Sequence, residues 1–111
     1  MAIETPETYY LVAMIDSGAQ GNFINEAFIK ENGIRTVRKE KTRRIRVVDG
    51  RELSGGRITH ECTFRLYINE HEEEITCDVA NIGQHDLILG ASWLAVHSPE
   101  INWRQIGRAH V

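Results

Sequence analysis

The sequence predicts an all-β domain carrying one or two short helices, and three stretches make that case. Tyr9 to Ile15 (YYLVAMI) is a continuous apolar run of strand length, rich enough in large side chains to be buried on both faces. Arg57 to Ile68 alternates, putting Ile58, His60, Cys62, Phe64, Leu66 and Ile68 on one face, the period of a half-buried strand. Between them, Val47-Val48-Asp49-Gly50-Arg51-Glu52-Leu53 sets an Asp-Gly pair between extended segments, a strong hairpin signal.

The remaining elements follow in order. The first apolar run stops at Asp16-Ser17-Gly18-Ala19-Gln20-Gly21-Asn22, a cluster of turn formers. A short helix is expected next, with Asn25 as N-cap, Glu26 in the first turn and Gly33 just past the end. Ile24 and Ile29 would staple its start. Arg35 to Arg46 is strongly basic, with Glu40 the one acid. After the alternating strand, a polar turn from Asn69 to Glu72 leads into a return strand bearing Ile75, Cys77 and Val79. Leu87-Ile88-Leu89 is a short buried strand running into Gly90. Ala91 to His97 makes two helical turns stopped by Ser98-Pro99, and Ile101 to Trp103 is a last extended piece.

With 111 residues the chain is sized for one domain, and a domain this small gains from extra burial through dimerisation. Its net charge of −3 gives no overall pull toward nucleic acid or an anionic membrane. No apolar run approaches membrane-spanning length, and the acidic, polar stretch Met1 to Thr8 does not suit a secretory signal. Cys62 and Cys77, without secretory context, read as reduced thiols, so a cytoplasmic location is expected. The last residues, Ile106 to Val111, read as the translated start of a sequencing adapter. The domain is therefore expected to span 1–104, with 105–111 a non-native tail.

Two motifs carry the chemistry: a buried strand delivering Asp-Ser-Gly-Ala, and Asp86-Leu87-Ile88-Leu89-Gly90 far downstream. Quoted as they stand, IDSGAQGNFI (Ile15 to Ile24) and HDLILGASWL (His85 to Leu94) resemble the catalytic loop and the second hydrophobic-hydrophobic-Gly signature of the retropepsins. These are the single-lobe aspartic proteases of retroviruses and retrotransposons. The closing HSPEINW (His97 to Trp103) is similar to the long-terminal-repeat, Ty3/gypsy-type branch rather than the viral one. The resemblance implies a single-lobe acid protease barrel, homodimeric when active, working within a Gag-Pol polyprotein and needing no cofactor.

It also implies roles. Peptide hydrolysis without metal or covalent intermediate needs a base to activate water and an acid to protonate the amide. Two neighbouring carboxylates sharing one proton supply both. One Asp-Ser-Gly per chain gives half the pair, so Asp16 of each of two chains would face its mate. Ser17 would hydrogen-bond across the dimer, and Gly18 would permit the close approach of two loops. Leu87 to Gly90 would lie beneath the loop. Ala19, Val47, Val48 and Ile88 would border a cleft for extended apolar peptides, and the Asp49-Gly50 hairpin would be the flap, with Gly55-Gly56 a second flexible point. Viral relatives pair an acid after the loop with an arginine after the second glycine; here Gln20 and Ala91 stand there instead.

Plainer readings compete at several positions. Asp16 alone would pass for a turn residue, and Asp86 is read as closing the turn before the buried strand, not as catalytic. The basic residues Arg35, Arg38, Lys39, Lys41, Arg43, Arg44 and Arg46 lack interleaved aromatics, so they are read as a solvated strand edge rather than a nucleic-acid contact. His60, Cys62, His71 and Cys77 lack the close spacing of structural zinc, so no metal is expected there. Trp93 and Trp103 are read as core or dimer-contact aromatics, and Glu72-Glu73-Glu74 as a solvated turn. The competing functions are a catalytically silent, domesticated retroelement domain acting as a dimerisation module, and a ubiquitin-pathway protease of the same fold.

Overall fold

The alternating stretch becomes the spine of the fold. The computed structural model describes residues 1–46 and 52–97, and the side chains of 1–40 and 58–97. Strand β6 (Glu52–Ile68) follows the predicted pattern: Ile58, Cys62, Phe64, Leu66 and Ile68 are buried and His60 is half-buried. Along one edge β6 pairs antiparallel with β5 (Val37–Arg46) and then with β1 (Ala2–Glu4); along the other it pairs with β7 (His71–Ala80). β5 and β6 thus form the predicted hairpin, but its proposed tip at Val47, Val48, Asp49 and Gly50 lies outside the described residues. Ser98-Pro99, the Ile101 to Trp103 strand and the tail 105–111 also lie outside them.

The other elements are β2 (Thr8–Tyr10), β3 (Ala13–Ile15), β4 (Phe23–Asn25), α1 (Glu26–Asn32), β8 (Leu87–Leu89) and α2 (Ala91–His97). The described strands form one sheet with path β2-β1-β6-β7-β4-β8-β3, with β5 attached to β6. β2 and β3 stand at opposite ends of that path, yet only Leu11 and Val12 separate them in the chain. Three Cα steps reach no further than about 11 Å, so the sheet must curl until its ends nearly meet. The fold is therefore mostly β with two short helices on a curled sheet, as the sequence predicts.

That curl corrects the reading of Tyr9 to Ile15 as one strand buried on both faces. Tyr10 is 84% exposed and Val12 65% exposed. The run breaks where the chain turns the corner: the Leu11 N–H donates to the Met1 carbonyl at 3.0 Å, closing the β1–β2 hairpin, before β3 joins β8. Apolarity marked this segment as strand-forming, but the corner is set by partners distant in sequence.

Two further readings are revised. The acidic run is strand, not turn: Glu72, Glu73 and Glu74 pair with Tyr67, Leu66 and Arg65, and the turn shrinks to Asn69-Glu70, with Asn69 at φ 53°. Asn tolerates that left-handed conformation better than most residues. Glu73 is half-buried because α2 covers it, and it accepts a hydrogen bond from the Trp93 indole. β5 is the expected basic edge strand, yet Lys39 is not simply solvated. It reaches to the buried Asp78 at 2.6 Å and to Glu61 at 3.7 Å, tying β5 across β6 to β7.

The core face of β6 and β7 carries Cys62 and Cys77 directly opposite one another, both free thiols and both buried. Burial pushes the Cys62 thiol above its ordinary value. Burial, then the neighbouring Cys62, Asp78 and Glu73, push that of Cys77 well above it. In the unfolded chain both thiols ionise near about 8.5. The folded state keeps the proton to higher pH, so its stability is constant below that value and falls as pH rises past it. Urea unfolding between pH 7 and 9.5 is expected to show a falling midpoint, with a shallower fall in a Cys62→Ala/Cys77→Ala chain. An equal fall in both chains would remove the thiols as the cause.

Candidate active site

The site grows from a loop held between strands that are remote in sequence. β3 lies parallel to β8, with Ala13, Met14 and Ile15 opposite Leu87, Ile88 and Leu89. β8 also pairs with β4, so it sits between the two strands that flank the loop 16–22. The Asp16 N–H donates to the Leu89 carbonyl at 2.9 Å, extending the β3–β8 ladder by one step. Asp16 then leaves the sheet with its side chain half-buried, and Ser17 beyond it is exposed.

The loop is tightened by its own groups. Asp16 Oδ1 accepts from the Gly18 N–H at 2.9 Å, and its backbone carbonyl accepts from the Ala19 N–H at 3.1 Å. This is the local geometry that an Asp in a turn adopts. It fixes the carboxylate through one oxygen. From below, the Ala91 N–H donates to the Ala19 carbonyl at 2.8 Å, and the Gly90 N–H donates to Asn22 Oδ1 at 2.9 Å.

Gly90 is where loop and support come closest. A Cβ built there would stand 2.5 Å from the Ala19 carbonyl oxygen and closer still to that of Gly21. The expected packing of Leu87 to Gly90 beneath the loop, with the glycine leaving room, is what the structure shows. Asn22, which the sequence marks only as a turn former, is a second positioning residue. Its side chain holds Gly90, while its carbonyl accepts from the Asp78 N–H at 2.9 Å. Nothing in composition separates Asn22 from its neighbours; its role appears only when β7 and β8 arrive.

The helix after the loop starts as predicted, and its cap has an added task. Asn25 Oδ1 accepts from the Ala27 N–H at 3.1 Å, and Gly33 closes the helix at φ 61°. Ile24 and Ile29 are buried in the same cluster. The Asn25 amide nitrogen also donates to the carbonyls of Gly83 at 3.0 Å and His85 at 2.8 Å, anchoring the turn before β8. Asn25→Asp is therefore expected to destabilise the fold by about 2 kcal/mol, although Asp caps helices as well as Asn in general. A carboxylate would keep the cap and face two carbonyl oxygens. Thermal unfolding equal to wild type would refute this second role.

The remaining expected site residues are placed as follows. Ala19 and Ile88, expected at the border of a cleft, are buried together with Phe23, Ile58, Ala80 and Ile82, so Ile58 of β6 packs against the loop that carries Asp16. Asp86 contributes its backbone carbonyl to the Asn25 N–H at 2.9 Å, in keeping with a structural role. Gln20 and Ala91, at the positions of the viral ion pair, are both exposed. No helix among the described residues is long and apolar enough to cross a membrane.

Residues 12–107 match the PEG10/RTL1 protease domain, a span that takes in both the Asp16 loop and the β8–Gly90 support. The chain belongs to the PEG10/RTL1 protease domain family. It is thus a retropepsin-like domain of retrotransposon origin, as its two motifs imply. Among solved structures, it is similar to the retroviral protease-like domain of Ddi1 from Leishmania major. That similarity has 14% identity and a TM-score of 0.42, covering 87% of this chain and 72% of that one. In this PEG10/RTL1-type domain each chain presents a single Asp-Ser-Gly loop.

Proposed function

We propose that the domain is an aspartic endopeptidase whose active site forms when two copies pair and bring their Asp16 carboxylates together, and that it processes its own polyprotein. The observation that carries this reading is the Asp16 loop itself. A half-buried carboxylate is held by the Gly18 N–H on one oxygen, in a loop clamped from beneath by Gly90 and Ala91. One carboxylate cannot act as base toward the water and as acid toward the carbonyl in the same step. Two that share a proton can, one deprotonating the attacking water and the other hydrogen-bonding the scissile carbonyl. Symmetry supplies the second without a second motif. Gly18 keeps the approach of the loops open, and exposed Ser17 is available to bond across them. The substrate is an extended peptide with apolar side chains.

Asp16→Asn preserves shape and removes the ionisable group. It is expected to abolish cleavage of a polyprotein-derived peptide while leaving thermal unfolding nearly unchanged. Cleavage by the variant at the wild-type rate would overturn the assignment. If the wild-type chain pairs but cleaves nothing, the domain is a silent dimerisation module instead. Activity is expected to be bell-shaped in pH with an acidic optimum, because the pair must hold one proton between its two members. A rate rising steadily into alkali would point to different chemistry.

A further inference from the structure

A second cluster of polar side chains lies away from Asp16, where the C-terminal end of α2 meets the start of β7. His71 and Glu73 are two residues apart on β7 and so point to the same face. Trp93 and His97, one helical turn apart, form the buried face of α2 and come down on them. His97 Nε2 lies 2.6 Å from Glu73 Oε2, and His71 Nε2 lies 3.8 Å from the same oxygen. One nitrogen or oxygen from each of His71, Glu73 and His97 falls within 4.8 Å of the others.

The hydrogen-bonding pattern around this cluster is that of a ligand set with its supports in place. His97 Nδ1 donates to the Trp93 carbonyl at 2.9 Å, and its Nε2 hydrogen-bonds Glu73 Oε2 at 2.6 Å, a bond that a cation bound to Nε2 would replace with release of its hydrogen. The Trp93 indole donates to Glu73 Oε1 at 2.5 Å and leaves Oε2 toward the two imidazoles. Trp93 thus orients both partners, through its carbonyl and its ring nitrogen, and it stacks on His97 with ring centroids 4.5 Å apart. His71 Nε2 is buried and has no hydrogen-bond partner. A buried imidazole nitrogen without a partner is a costly arrangement that a cation would relieve.

We propose that His71, Glu73 and His97 bind a zinc-class divalent cation through His71 Nε2, Glu73 Oε2 and His97 Nε2, with water as fourth ligand. Two imidazoles and a carboxylate favour zinc over magnesium or calcium, which prefer all-oxygen shells. In a tetrahedral zinc site the donor atoms stand about 3.3 Å apart. His71 must therefore move inward and the His97–Glu73 contact open slightly, the larger motion falling to His71, which is half-buried. This set differs from His60, Cys62, His71 and Cys77: the two cysteines face each other deep in the β6–β7 ladder, and His71 pairs at its far end with Ile68. The metal would pin α2 to the β6–β7 hairpin, fixing the helix that begins immediately after Gly90.

The test is calorimetric titration of chelator-stripped chain with zinc chloride, followed by thermal unfolding. One equivalent is expected to bind, with a Tm rise that grows with free zinc. Cobalt in place of zinc should give a visible spectrum without a thiolate charge-transfer band. His71→Gln removes only the half-buried, unpartnered imidazole, so the fold should survive. It is expected to weaken binding at least about tenfold. Glu73→Gln should abolish the Tm rise, whereas Asp16→Asn and His85→Gln should bind as wild type. Absence of a one-equivalent site, undiminished binding by His71→Gln, or a thiolate band would each overturn the proposal. Because Asp16→Asn serves as a control, failure here leaves the proteolytic reading standing, and the reverse holds too.

Discussion

Mixing wild-type chain with a ninefold excess of Asp16→Asn chain is expected to lower cleavage per wild-type chain about tenfold, beyond any dilution, if subunits pair at random. Under random pairing only about a tenth of wild-type chains would find a wild-type mate, and a mixed pair holds one carboxylate and one amide. Dilution of wild type alone should lower specific activity as pairs dissociate. Both effects follow from there being one Asp-Ser-Gly loop per chain. An enzyme complete in one chain, for instance one recruiting its own Asp86, would show neither. Constant specific activity over a wide dilution range, with indifference to the mutant chain, would sink the shared-site mechanism.

Gly90→Ala is expected to cost about 3 kcal/mol or more, because the new methyl meets backbone rather than a side chain that can rotate away. In a domain of this size that corresponds to a Tm drop of roughly 10 °C or more. The carbonyls it would strike belong to Ala19 and Gly21, so relief requires moving the loop that carries Asp16. Cleavage should fall even at temperatures where the variant remains folded. Gly33→Ala is the internal comparison: its φ of 61° makes alanine strained, yet nothing lies within 4 Å of the added Cβ. Its cost should be about 1 kcal/mol, with activity retained. A Gly90→Ala Tm no lower than that of Gly33→Ala would show that the loop and β8 are not packed as described.

What could be read from the sequence was whatever local chemistry decides. The Asn25 cap, the Gly33 stop and the alternation of β6 all lie within a few residues of their causes. The Asp16 loop and its β8 support were visible as motifs, though not the Asn22 bridge between them. What escaped was decided by partners that arrive later in the chain. Lys39 reads as one more solvated cation until Asp78 comes alongside it. Glu73 reads as part of a polar turn until α2 covers it. Tyr9 to Ile15 reads as one strand because apolarity does not encode the corner at Leu11-Val12.

The position of β8 between β3 and β4 dictates an order of events. β1–β2, β5–β6 and β6–β7 are hairpins of neighbouring segments, which close rapidly. β3, by contrast, pairs with β8 alone in the described sheet, across most of the chain's length. During synthesis, the segment carrying Asp16 must therefore wait, unpaired and apolar, until Leu87 to Leu89 has emerged. A nascent or truncated chain ending before β8 would have its hairpins but no organised aspartate, and an open strand edge prone to sticking to other chains. The arrangement acts as a timer, linking the assembly of the loop to completion of the segment that supports it.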